Sequence, residues 1–190
     1  AIVIKAPLPP SAFPTVWNDH QRFEESYWSE YPGFYLTGDG GYRDEDGYVF
    51  VMGRTDDVIN VAGHRLSTGR IEEVVAEHSA IAECAVVGIA DAEKGQVPVG
   101  LLLIKDGVNL DPKTLQAELV QAVRNAVGPI ANFKRALVVA RLPKTRSGKI
   151  LRQVIRSMID GESYIVPSTI DDPAIVDELY ETLSSQGWIK

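Results

Sequence analysis

The sequence has few residues of the types that build disulfide frameworks and metal sites. Cys84 is the only cysteine in 190 residues, so no intrachain disulfide can form, and we expect a reducing, cytoplasmic setting. The strand-like stretch ECAVVGIA favours buried packing for this cysteine over a reactive thiol. The three histidines, His20, His64 and His78, show no spacing typical of metal ligands. No arrangement of Ser, His and Asp indicates a hydrolase.

Long apolar runs and an excess of basic residues are absent as well. No stretch approaches the roughly 20 apolar residues of a membrane helix, so we expect no membrane partner. The 26 acidic and 19 basic residues give a net charge of -7, which argues against general nucleic-acid binding. The chain begins without a methionine or the zones of a signal peptide. We interpret this start as a cut from a longer protein.

Two kinds of sequence pattern divide the chain. Residues 1–54 are rich in aromatic and turn residues, and FYLTGDGGYRDEDGYVFVM predicts two strands joined by a polar turn. These strands are too few for a closed sandwich or barrel, so we expect this segment to complete the sheet of a larger domain. Residues 58–190 alternate between helix and strand patterns, which predicts an α/β (α+β) domain. Residues 55–57, with Asp56, are the predicted hinge, although a static linker would show the same pattern.

The α/β part is predicted to contain a short β-ribbon and a central sheet flanked by helices. VINVAGHRL predicts the ribbon, turning at Gly63, while CAVVGIA, VPVGLLLIK and ALVVA predict strands buried in a sheet. The predicted helices are RIEEVVAEH with Ile71, Val74, Val75 and His78 on its apolar face, a helix from Asp111-Pro112 to Gly128-Pro129, one after Ser147, and one from Asp172-Pro173.

The stretch LPKTRSGKI places Lys144, Arg146 and Lys149 within six residues. With Ser147 as the predicted N-cap, these cations flank a helix N-terminus, where positive charge is unfavourable by up to about 1 kcal/mol each. Gly148 next to the lysine indicates a site where backbone N–H groups and an ammonium meet one anion. A solvated basic loop explains the same composition. A Walker A loop is excluded, because that motif needs a glycine in place of the proline and Ser or Thr after the lysine.

A second group of candidate residues lies in YLTGDGGYRDEDGYVFVMGR. Asp39 follows a strand end in a glycine-rich turn, where its carboxylate could accept two hydroxyl protons of a sugar. Arg54 ends the next strand and is a candidate ligand for phosphate or ribose. An aspartate in such a turn also serves commonly as a turn residue.

Three of these stretches, YLTGD, GRTDDVINVAGHRL and LPKTRSGKI, occur in the order and spacing that resemble the acyl-adenylate-forming superfamily. The resemblance is to its AMP-forming short-chain synthetases of acetyl-CoA and propionyl-CoA, and runs from about Phe23 to the tail STIDDPAIVDEL. It implies that ATP and a carboxylate form an acyl-adenylate and pyrophosphate, after which coenzyme A attacks the activated carbonyl. It also implies that 58–190 is a mobile domain rotating between the steps, and that 1–54 ends the large adenylation domain.

The resemblance also implies roles for individual residues. Lys149 matches the lysine that bridges the carboxylate and the α-phosphate during adenylation. Asp39 matches the residue that holds the ribose hydroxyls, with Arg54 and Arg65 as further nucleotide contacts. Asp56 falls at the hinge position.

The thioester step involves a second set of residues by the same resemblance. The turn with Ala62 and Gly63 matches the loop that lines the pantetheine tunnel, where a glycine suits a narrow passage. Arg124 matches an arginine that contacts a coenzyme A phosphate. In relatives a magnesium ion is held by backbone carbonyls, at the positions of Ala76, His78 and Ile81.

Two departures from the acetyl-CoA synthetase pattern favour the propionyl-CoA branch. Ala62 stands where those enzymes have serine, and Arg70 stands where they usually have glutamate. Propionate is therefore favoured over acetate, although the acyl pocket and the phosphate loop are expected outside this chain, which alone should be inactive. The implied cofactors are ATP or AMP, coenzyme A and magnesium.

Relatives of this kind are controlled by lysine acetylation, so the resemblance implies a protein acetyltransferase and a deacetylase acting on Lys149. Two other hypotheses stay open. The chain could belong to an adenylation domain that loads a carrier protein, or it could be a non-catalytic module that binds a nucleotide.

Overall fold

The computed structural model describes residues 1–55 and 57–190, except for the side chain of Met52. The chain forms two compact units, Ala1–Asp56 and Asp57–Lys190, and each is described by itself. The predicted hinge residue Asp56 lies outside the described residues. No described helix has both the length and the apolar character needed to cross a membrane.

The first unit contains one helix and two antiparallel strand pairs. Helix α1 (His20–Tyr27) packs Phe23 into an aromatic cluster and is capped by Asp19, whose side chain accepts the N–H of Arg22 at 3.2 Å. The strands are β1 (Val3–Lys5) paired with β2 (Phe34–Leu36), and β3 (Asp39–Arg43) paired with β4 (Val49–Arg54). The predicted hairpin is present as β3 and β4, but the same stretch also contains β2, because the chain bends between β2 and β3.

The second unit is built on a five-stranded sheet in the order β6-β5-β8-β7, with β9 parallel to β8. Strands β7 and β8 form a long antiparallel hairpin, as their apolar runs predict, and the short ribbon of β5 and β6 lies at the other side. The strands are β5 (Val58–Val61), β6 (His64–Ser67), β7 (Ile81–Asp91), β8 (Gly95–Ile104) and β9 (Arg135–Val138).

Helices cover both faces of this sheet, which confirms the predicted α/β architecture. Helices α2 and α3 pack on one face and α4 and α5 on the other, each over its own apolar cluster. The N-terminus of α3 is as predicted: Asp111 accepts the N–H of Thr114 at 2.9 Å and Pro112 begins the helix. The helices are α2 (Thr68–Ala76), α3 (Pro112–Ala126), α4 (Arg152–Ile159) and α5 (Ala174–Ser185).

Two local predictions about helices are wrong. His78 does not belong to the apolar face of α2, which ends at Ala76; its Nε2 lies 2.9 Å from a carboxylate oxygen of Glu118. Ser147 does not cap α4, which begins at Arg152. The residues before Arg152 form a turn flanked by isolated β-bridges instead, from Lys144 to Ile150 and from Thr145 to the distant Ile170. Lys149 therefore precedes the helix, and the predicted conflict with the helix dipole does not arise.

Candidate functional site

The Lys149 turn, defined as residues 145–149, closes on itself through backbone hydrogen bonds. The Thr145 N–H donates to the Lys149 carbonyl at 2.8 Å, and the Gly148 N–H donates to the Thr145 carbonyl at 2.8 Å. The Lys149 N–H donates to Thr145 Oγ1 at 3.1 Å. Gly148 has a φ of +82°, which glycine adopts without strain. The backbone of Lys149 is thus held within the turn while the residue remains exposed.

A second segment, residues 168–171, lies beside this turn. The Arg146 N–H donates to the Thr169 carbonyl, and the Asp171 N–H donates to the Lys144 carbonyl, both at 2.9 Å. The Arg146 guanidinium also donates to the Ser168 carbonyl at 2.8 Å. These contacts fix the turn by bonds that LPKTRSGKI alone does not reveal.

Lys149 differs from the neighbouring cations in its lack of a partner. The other three cations of residues 144–152 each donate to an acceptor, and those acceptors are Glu83 for Lys144 at 2.6 Å, the Ser168 carbonyl for Arg146 at 2.8 Å, and Glu72 for Arg152 at 2.9 Å. Within residues 1–55 and 57–190, no side-chain hydrogen bond or ion pair involves the Lys149 ammonium. This group is therefore available to an external anion.

Asp39 and Arg54 lie opposite each other in the first unit. They are direct partners in the β3–β4 ladder, and Arg54 Nη1 lies 3.9 Å from Asp39 Oδ1 and donates to the Thr37 carbonyl at 3.2 Å. Gly38 has a φ of +78°, and a Cβ there would come within 2.6 Å of the Arg54 guanidinium, which would have to move. The glycine of YLTGD thus lets the carboxylate and the guanidinium share one partly exposed edge.

The predicted coenzyme A loop is the turn between β5 and β6. Ala62 has a φ of +48° and Gly63 a φ of +88°, and the Ala62 N–H donates to the Lys94 carbonyl at 2.8 Å. A Cβ on Gly63 would meet nothing within 4 Å. The turn conformation, rather than crowding within this chain, therefore explains the glycine. Arg65 follows as an exposed residue of β6, opposite Asn60.

Arg124 lies in the last turn of α3, where it is exposed beside a shallow pocket. The pocket has a volume of about 110 Å³ and is also lined by Asn132 and Lys134. Its two cationic side chains can attract a phosphate group. Among the residues that the structure describes, no hydrogen bond or ion pair joins Arg124 to Lys149 or Arg65.

Some polar groups of the loop predicted to hold magnesium already have partners within the chain. The His78 carbonyl accepts the N–H of Ile81 at 3.0 Å, and the Lys105 ammonium donates to the Ser79 carbonyl at 2.8 Å. A positive charge is therefore already present at Ser79, within this loop, and magnesium demands several well-placed oxygens. The part of the chain that is described holds no group of three His, Cys, Asp or Glu suited to a metal. The magnesium site at Ala76, His78 and Ile81 stays a prediction.

Two carboxylates that the sequence did not single out bind the residues on either side of the Lys149 turn, Lys144 before it and Arg152 after it, which are called its two arms below. Glu72 on α2 binds Arg152, and Glu83 on β7 binds Lys144. The sequence separations are 80 and 61 residues. No local pattern could have indicated these pairs. Cys84 beside them is buried as expected, and desolvation raises the pKa of its thiol to about 11, with the nearby carboxylates adding to the shift.

Comparison with known protein families relates this chain to the AMP-binding enzymes. Residues 70–149 match the AMP-binding enzyme C-terminal domain. The chain is 59% identical over 183 residues to an uncharacterised protein of Pseudomonas aeruginosa, covering 96% of this chain and 29% of that protein. It is 48% identical over 182 residues to the mouse mitochondrial acyl-CoA synthetase short-chain family member 3, covering 96% and 27%. The chain thus spans less than a third of the length of these relatives.

Solved structures agree with this relationship. An ATP-bound RpMatB-BxBclM chimera matches 78% of this chain and 29% of its own, with a TM-score of 0.65 and 26% identity. An acyl-CoA synthetase of Brucella canis matches 66% of this chain and 23% of its own, with a TM-score of 0.51 and 34% identity. The chain therefore carries the AMP-binding enzyme C-terminal domain, and its homologues include short-chain acyl-CoA synthetases.

Proposed function

We propose that this chain is the C-terminal part of an AMP-forming acyl-CoA synthetase that joins a short-chain carboxylate to coenzyme A with ATP. The observation that carries the proposal is the Lys149 ammonium, exposed on an ordered turn and without a partner among the described residues. Such a cation can meet an anion supplied elsewhere in the whole protein without first breaking another contact. The similarity to a named short-chain synthetase supports this reading.

In the adenylation step, a carboxylate oxygen attacks the α-phosphorus of ATP, and the bond to the pyrophosphate oxygen breaks. Negative charge redistributes over the α-phosphate and the leaving group, and we assign to Lys149 the stabilisation of that charge. Asp39 accepts the ribose hydroxyl protons, while Arg54, on the same edge, contacts the nucleotide. Arg65 is a further nucleotide contact. Asp56, as the hinge, would let the domain rotate afterwards.

In the thioester step, the sulfur of coenzyme A attacks the acyl-adenylate carbonyl and AMP leaves with the bonding electrons. The turn at Ala62 and Gly63 would line the pantetheine path with backbone alone, because neither residue carries a long side chain. Arg124 would bind a phosphate of coenzyme A at its pocket. These three residues lie on elements of the second unit, as a mobile domain acting in both steps requires.

The acyl group proposed is propionyl, with acetyl as the next choice. Ala62 and Arg70 support this order by their departure from the acetyl-CoA synthetase pattern. The cytoplasm is the proposed compartment, although the mouse relative is named mitochondrial. The exposure of Lys149 also makes it accessible to an acetyltransferase and a deacetylase, and acetylation would remove the charge that the first step needs.

The test is carboxylate-dependent exchange of pyrophosphate into ATP, measured for the whole protein with propionate and with acetate. Lys149→Ala should lower the exchange rate by at least about 100-fold, because it removes the positive charge that stabilises the transition state of adenylation. Lys113→Ala, an exposed lysine on α3, is the matched control and should leave the rate unchanged. Exchange that survives in Lys149→Ala would refute the assignment.

A further inference from the structure

Two ion pairs hold the two arms of the Lys149 turn. On the incoming arm, Lys144 Nζ lies 2.6 Å from Glu83 Oε2. On the outgoing arm, Arg152 contacts both carboxylate oxygens of Glu72, with Nη2 at 2.9 Å from each. Both carboxylates belong to elements distant in sequence from the turn. The pairs therefore connect the turn to the body of the domain from two directions.

The acceptors of these pairs are themselves fixed to the edge of the sheet. Glu83 lies in β7, which is the edge strand of the path β6-β5-β8-β7. Glu72 reaches the same strand from α2, where its Oε1 accepts the Val86 N–H at 2.8 Å. Lys144 and Arg152 are thus both connected to β7 through these carboxylates. A shift of either carboxylate would therefore move the turn.

The backbone bonds of the turn and the ion pairs supply different constraints. The bonds between Thr145 and Lys149 define the shape of the turn but not its place on the domain. Placement comes from the contacts of Lys144 and Arg152 and from the segment 168–171. A cation that must meet a phosphate needs correct placement as well as shape, since a displacement of about 1 Å can cost about 100-fold in rate.

We propose that Lys144 and Arg152, through Glu83 and Glu72, are positioning residues that place the Lys149 ammonium for adenylation. The inference rests on the proposed role of Lys149 and gives Lys144 a function that its sequence motif did not reveal. The Lys144–Glu83 pair is partly exposed, with 31% and 33% of the two side chains accessible. Its removal should therefore cost less than breaking a buried pair, so that the fold persists while the turn moves.

The experiment uses the whole protein and measures both half-reactions in one preparation of each variant. Lys144→Gln and Glu83→Gln should each lower the rate of pyrophosphate exchange about tenfold, because each variant partly misplaces the Lys149 ammonium. Transfer from supplied acyl-adenylate to coenzyme A should change little. The charge-reversed double variant Lys144→Glu, Glu83→Lys should recover most of the lost exchange. Glu73→Gln is the matched control, because Arg70 and Glu73 form a 2.6 Å pair within α2, and neither has an ion pair with residues 144–152 in the described part of the chain.

The two half-reactions separate positioning from stability. An equal loss in both steps, including loss through misfolding, would show a purely structural role and overturn the inference. Wild-type exchange in Lys144→Gln and Glu83→Gln would overturn it as well. Lys149→Ala, measured alongside, tests the proposed function itself. If Lys149→Ala retains pyrophosphate exchange, the proposed function is refuted. If Lys149→Ala loses exchange while the Lys144 and Glu83 variants keep it, only the positioning role is refuted.

Discussion

Arg152→Met removes a guanidinium that makes three hydrogen bonds to the Glu72 carboxylate, at 2.9, 2.9 and 3.1 Å. The side chains are 25% and 17% exposed, so the pair lies between exposed pairs, worth about 0–1 kcal/mol, and buried pairs, whose breakage costs about 3–5 kcal/mol. After the substitution the carboxylate retains the Val86 N–H. We expect a loss of about 2–3 kcal/mol in the free energy of unfolding.

The measurement is thermal and urea unfolding of the chain, followed by circular dichroism. For a unit of this size, a loss of about 2–3 kcal/mol corresponds to a fall of about 7–11 °C in Tm. Arg70→Met is the comparison, because its pair with Glu73 is short but exposed, with 52% and 61% of the side chains accessible. That variant should lose less than about 1 kcal/mol. Equal effects of the two substitutions would refute the reasoning from burial.

Two further predictions concern the thiol and the ribbon turn. Because burial raises the pKa of Cys84 to about 11, about one thiol in a thousand is ionised at pH 8. Iodoacetamide should therefore react slowly with the folded chain, faster as the pH rises, and rapidly in urea. Rapid reaction at pH 8 without denaturant would contradict this prediction. Gly63→Ala should slow transfer from acyl-adenylate to coenzyme A more than Gly107→Ala does. Gly107 is the matched control because both glycines have a positive φ and open surroundings. Equal slowing would argue against a coenzyme A path at Gly63.

Local signals predicted most elements of the second unit. The apolar runs of β7 and β8 and the cap at Asp111 act over neighbouring residues, so the sequence contains what is needed to predict them. The start of α4 was predicted too early for a physical reason. Lys144 and Arg146 bond to the segment 168–171, and this long-range pairing keeps them in a turn where the sequence pattern predicts the start of a helix.

The candidate site shows the same division between local and distant information. Asp39 and Arg54 were separate candidates in the sequence, and the β3–β4 register, with an irregularity between Gly40 and Gly41, places them opposite each other. The partners of the Lys149 turn could not be predicted, because each ion pair joins residues more than 60 positions apart. Ionic contacts at such separations leave no periodicity in the sequence.

The most direct test of the central claim compares the two half-reactions of Lys149→Ala in the whole protein. The ratio of pyrophosphate exchange to acyl transfer from supplied acyl-adenylate should fall by at least about 100-fold relative to the wild type, because the missing ammonium stabilises charge in the first step only. Lys149→Arg would show whether charge alone suffices. An unchanged ratio, with either both steps intact or both equally reduced, would contradict the account.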